Sequence, residues 1–99
     1  MKLLVAERAQ RQIAKIDQFW FEHRFDAETL FLDELAATFR MLSTVRHAGT
    51  RWPTPQRPAL RRILMPRSLN HVYFVVDEAS QTVRVLAVWG AKKRRTPKL

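Results

Sequence analysis

HVYFVVDE (71–78) and TVRVLAVW (82–89) lie close together near the end of the chain, joined through a short EASQ turn. The first segment is nearly continuous in β-branched and aromatic residues. That composition predicts a central strand, covered on both faces. The second segment alternates, with Val83, Val85, Ala87 and Trp89 expected on one face and Arg84, Leu86 and Val88 on the other. Just upstream, ALRRILM (59–65) alternates too, with Arg61, Ile63 and Met65 opposite Leu60, Arg62 and Leu64. Links this short predict an antiparallel meander of three strands.

The N-terminal half changes period. LLVA (3–6) is short and partly β-branched, and reads as a strand. From Glu7 onward, Ala9, Ile13, Ile16 and Trp20 recur at spacings of three and four, which predicts a helix to about His23–Phe25. Asp26 is placed as the N-cap of a second helix running to about Val45. Its apolar stripe is Leu32, Leu35, Phe39 and Leu42, broadened by Phe31 and Ala36. A short connection makes the two helices an αα-hairpin. RHAGTRWPTPQRP (46–58) holds three prolines and a glycine, and is expected to be a surface loop without regular structure. The fold class is therefore α+β, in the order β-α-α-β-β-β. A helical hairpin packs on a small, mostly antiparallel sheet. Residues 1–99 form one domain, with 91–99 as a basic C-terminal tail.

Composition narrows the functions. No cysteine is present, so disulfides and thiolate metal sites are excluded. The three histidines are dispersed and suggest no metal site, and no cofactor motif is found. No apolar stretch approaches the ~20 residues that cross a bilayer, and the N-terminus lacks a signal-peptide pattern. A cytoplasmic protein without membrane partners is expected. The net charge is +9. Residues 1–50 balance seven basic against seven acidic side chains, whereas residues 51–99 carry eleven basic and two acidic ones. Charge this one-sided points to a polyanionic or acidic partner.

The ordered set of segments resembles the RelE/ParE superfamily of toxins from type II toxin–antitoxin systems. The resemblance runs through ERAQRQIAKIDQFW, FLDELAATFRML, the Gly49 loop, ALRRIL, NHVYFVVDE and VLAVWGAKKRRTPKL. It covers nearly the whole chain. It implies a cytoplasmic toxin held by a cognate acidic antitoxin in a hetero-oligomer. Two activities are implied by different branches. ParE-like members bind DNA gyrase and block replication without being enzymes. RelE-like members are endoribonucleases that cut mRNA on the ribosome.

The residues lean toward the ParE-like branch. Metal-free RNA cleavage needs a base for the 2′-OH, an acid for the leaving 5′-oxygen and cations for the phosphorane. The candidates for that work are Arg61, Arg62, His71, Tyr73, Lys92 and Lys93. Only one of Arg61 and Arg62 can face a common groove, because neighbours in a strand point oppositely. Related chains often carry two adjacent tyrosines where this one has Tyr73–Phe74, and often a histidine where this one has Gly90. Arg61, Arg62, Arg84, Lys92, Lys93, Arg94, Arg95 and Lys98 are expected to bind a target or nucleic acid. Trp52, Arg61, Arg62, Arg94 and Arg95 are expected to meet the antitoxin. The tail is expected to be a mobile, extended, charged contact element, ending in the Arg–x–Pro–x–Leu pattern common in these toxins.

Overall fold

The computed structural model describes residues 1–45 and 47–99. Seven elements follow in order: β1 (Lys2–Val5), α1 (Glu7–His23), α2 (Leu30–Thr44), β2 (Thr50–Arg51), β3 (Arg61–Met65), β4 (Asn70–Asp77) and β5 (Thr82–Gly90). The five strands form one sheet in the order β1-β5-β4-β3-β2. β1 is parallel to β5, and every other pair is antiparallel. The expected meander is present, and β4 is the central strand.

The hairpin covers one face. Ala9 and Trp20 of α1 and Phe31, Leu35 and Leu42 of α2 are buried against Met65, Val72, Phe74, Val83, Val85 and Val88. The α1 stripe falls as its spacing predicts. The α2 stripe does so at four of its six positions. Leu32 and Ala36 are exposed, and the inward line is Phe31, Leu35, Phe39 and Leu42. The helix also starts later than expected, at Leu30. Asp26 caps nothing: residues 25–29 form turns, with Ala27 N–H donating to Arg24 O and Leu30 N–H to Ala27 O. Thr29 is the residue before the helix and makes no side-chain cap.

The proline loop is also more ordered than its composition suggests. Thr50 and Arg51 pair with Arg62 and Arg61 as a short edge strand. Arg46, which opens that segment, lies outside the described residues. Gly49 makes the pairing possible. Its φ is +73°, and a Cβ there would lie 2.5 Å from the Arg62 carbonyl oxygen. A residue with a side chain would meet both left-handed strain and backbone overlap.

The largest departure is in β5. Tyr73 pairs with Ala87, but Phe74 pairs with Val85, so Leu86 is an extra residue. This β-bulge resets the alternation. Val83, Val85 and Val88 join the helix-side core, while Leu86 and Ala87 join Leu60 and Tyr73 in a second buried cluster. Ala87 and Trp89 therefore do not share a face with Val83 and Val85, and Val88 turns inward. The second cluster is completed by Val75, Trp89 and the C-terminal Leu99.

Candidate functional site

The face of the sheet away from the hairpin collects most of the functional candidates. Cross-strand register places them in rows. Leu64 pairs with His71, which pairs with Trp89; Arg62 pairs with Tyr73, which pairs with Ala87. Directly opposed residues have Cβ atoms about 5 Å apart.

Arg62 and Arg61 diverge. Arg61 faces the loop, where its Nε donates to Ala48 O at 3.1 Å and its Nη2 to Gly49 O at 3.0 Å and His47 O at 3.3 Å. Its guanidinium thus ties three successive loop carbonyls to β3. Arg62 points to the second face. Its guanidinium stacks over the Trp52 ring, 3.5 Å from the centroid, and Nη1 donates to the Tyr73 hydroxyl at 3.3 Å. Trp52 is delivered by the proline loop, whose backbone is fixed by Trp52 N–H donating to Leu60 O. It remains 38% exposed.

Tyr73 is only 1% exposed, and its hydroxyl accepts from Arg62. His71 meets the Tyr73 ring edge-on, with centroids 6.0 Å apart. Burial holds the His71 pKa below its ordinary value of 6.5, and the Arg62 charge pushes the same way. The imidazole is therefore mostly neutral at pH 7 and able to accept a proton. Arg84 sits on the same face but far along it, paired with Leu4 and Val75.

The tail is not an extended mobile arm. Pro97 is buried, and Leu99 packs on the second cluster. The Trp89 indole Nε1 donates to Arg95 O at 2.8 Å, and an Arg8 guanidinium nitrogen donates to Lys98 O. Lys93 Nζ lies 4.2 Å from the centre of the Trp89 ring. The Arg–Thr–Pro–Lys–Leu ending thus straps across the sheet, and Lys92, Arg94 and Arg95 are displayed from an anchored segment. Polar backbone contacts and two apolar residues, Pro97 and Leu99, hold the basic run in place.

Two residues outside the sequence-derived set belong to this region. Arg8 and Gln12 stand four apart on one face of α1, beside the edge of β5. β1 pairs with β5 only as far as Val85, and the Val88 N–H is taken by Gln12 Oε1 at 2.9 Å. On the other side of the sheet, β1 itself is a free edge. It borders an apolar groove of about 850 Å³ lined by Leu3, Val5, Ile13, Leu35 and Phe39. Among the described residues there is no cluster of three His, Cys, Asp or Glu able to hold a metal, and no helix long and apolar enough to cross a membrane.

A helical hairpin on one face of a five-stranded sheet, with a parallel first strand and an antiparallel meander, is the ParE-like α+β fold. The chain matches a solved chain of the chromosomal ParDE TA system from P. aeruginosa with a TM-score of 0.77, over 93% of this chain and 97% of that one. At 15% identity this is a likeness of fold. No protein-family model matches the chain, and no curated protein sequence does.

Proposed function

We propose that the chain is the toxin of a type II toxin–antitoxin pair, acting in the cytoplasm, and that it works as ParE-like proteins do, by binding DNA gyrase and blocking replication. The carrying observation is end-to-end correspondence of fold with a chain from a ParDE system. The state of the second face supports a protein-binding role. Tyr73 is buried, Arg61 is consumed by its loop, and Arg62 is already stacked and hydrogen-bonded. A preorganised Arg–Trp pair is the kind of rigid, partly exposed anchor that protein interfaces use. An acidic antitoxin segment would cover Trp52, Arg62, Arg94 and Arg95. Arg61 would support that contact only through the loop it holds.

RelE-like cleavage of ribosome-bound mRNA is the second reading. One observation favours it: Arg62, His71 and Tyr73 are neighbours, and His71 is poised to accept a proton. In that reading His71 takes the 2′-hydroxyl proton and Arg62 holds the phosphorane charge. The leaving 5′-oxygen would be protonated from the tail lysines, Lys92 or Lys93.

Pulse-labelling after induction in bacteria separates the two. DNA synthesis falling first supports gyrase inhibition. Protein synthesis falling first supports the nuclease. No arrest of either sinks the toxin reading.

A further inference from the structure

Between α1 and the C-terminal strap lies a cleft of about 550 Å³, lined by Arg8, Gln12, Trp89, Arg95, Pro97 and Lys98. Its size is that of ordinary small-ligand sites. The cleft lies at the edge of β5, apart from the Arg62–Trp52 pair. Three of its lining residues are cationic and none is acidic. Trp89 and Pro97 supply an apolar, partly aromatic wall. The Trp89 N–H is spent on Arg95 O, and Lys93 Nζ, which does not line the cleft, lies 4.2 Å from the ring centre, so what the indole offers a ligand is the part of its ring that lines the cleft rather than a hydrogen bond. Cations around a stacking surface, with no directional donor from the aromatic group, suit a phosphodiester chain whose bases are read only by their flat faces.

We propose that this cleft binds single-stranded nucleic acid, with one base against Trp89 and adjoining phosphates at Arg8, Arg95 and Lys98. An acidic peptide would satisfy the cations but would leave the ring surface without a planar partner. The site does not depend on which cellular target the toxin reading selects.

The arrangement allows a clean test. Arg95 and Lys98 meet the rest of the fold through their backbone carbonyls, accepting from Trp89 and Arg8, while their side chains are exposed. Their side chains can be neutralised while the strap stays docked. The probe is a fluorescent twelve-nucleotide oligo-dT, titrated with the full chain by anisotropy over a range of salt. Arg95→Gln with Lys98→Gln is expected to weaken binding at least about tenfold. It should also reduce the log–log salt slope by about 1.4, at ~0.7 per phosphate of a single strand. Lys92→Gln with Arg94→Gln removes the same charge from the same tail outside the cleft, and is expected to cost less than about threefold. An abasic phosphodiester of equal length is expected to bind at least about tenfold more weakly. Equal losses from the two double variants overturn the proposal, as does abasic binding as tight as oligo-dT. So does displacement by polyglutamate at matched charge, which would assign the cleft to an acidic protein. Failure of the unaltered chain to bind oligo-dT at low salt overturns it as well. If the cleft double variant melts early, Arg95→Gln alone is read by the same criteria.

Discussion

The Arg62 guanidinium lies 3.5 Å from the centre of the Trp52 ring, while its strand neighbour Arg61 turns away to bind the carbonyls of His47, Ala48 and Gly49. Two adjacent arginines of the same type thus have unrelated jobs, set by the alternation of one strand. Arg61→Gln is expected to cost about 2 kcal/mol of stability, because it strips charge-assisted hydrogen bonds from half-buried carbonyls. Arg62→Gln is expected to stay within about 1 kcal/mol, since a stacked pair this exposed is worth little to folding. The order should reverse in a growth-arrest assay, with Arg62→Gln abolishing toxicity at normal protein levels. Denaturant melts and plating efficiency check both halves; equal stability losses would contradict the division.

His71 should titrate below 6.5 in the folded protein, first because it is partly buried and second because of the Arg62 charge. The sign for stability follows. The unfolded state takes up the proton first as pH falls, so the contribution of His71 is fully present above pH 6.5. It is lost as pH drops through the lower, folded pKa. A proton NMR titration of the imidazole resonances measures that pKa. Arg62→Gln should raise it part of the way back, leaving the burial component. A pKa that does not move in the variant would remove Arg62 from the account.

Gly49→Ala is expected to destabilise by about 3 kcal/mol. The left-handed φ alone costs a non-glycine residue on the order of 1–3 kcal/mol. The new Cβ would also lie 2.5 Å from a backbone oxygen, which cannot rotate away as a flexible side chain could. Loss of the β2–β3 pairing should appear as fast amide exchange at Thr50 and Arg51. A melt within about 1 kcal/mol of the unaltered protein, with those amides still protected, would show that the loop has another way to close.

Truncation after Gly90 should damage the fold itself. It removes Leu99 from the cluster of Leu60, Tyr73, Leu86 and Ala87, and the buried Pro97 with it. Loss of that cover is expected to cost about 3 kcal/mol, which in a domain this size lowers Tm by at least about 10 °C. The shortened chain should also bind more of a hydrophobic dye than the full chain does. A Tm unchanged by truncation would mean that the strap contributes charge and little else. Loss of antitoxin binding on truncation would not by itself locate a contact; charge-neutral substitutions at Arg94 and Arg95 are the informative variants.

Much of the fold was legible because it rests on local periodicity. Ala9, Ile13, Ile16 and Trp20 mark one helix face, and Arg61, Ile63 and Met65 one strand face. What periodicity cannot register is an inserted residue. Leu86 is apolar like its neighbours, so nothing in VRVLAVW announces a bulge. The start of α2 was misplaced because Asp26 has the chemistry of a cap, while the turns at Arg24–Leu30 are closed by backbone groups common to all residues. At the site, Arg62, His71 and Tyr73 were legible as residue types. Their convergence was not, because it depends on the β3–β4–β5 register. The docked tail was illegible for a different reason. Its polar anchors are main-chain carbonyls of Arg95 and Lys98, where a sequence displays only charged side chains, and its apolar anchors, Pro97 and Leu99, are isolated among basic residues.

The bulge at Leu86 also works as a parity switch. Before it, odd-numbered residues of β5 serve the hairpin; after it, odd-numbered residues serve the strap. Straighten the strand with Leu86 kept in a regular ladder, and Val88 and Trp89 would exchange sides. The indole would be driven among the helices, and the chain would leave the sheet on the wrong side to cover Tyr73. The bulge thus fits this order of side chains to two coverings, one from each end of the polypeptide, which meet where Arg8 donates to Lys98 O.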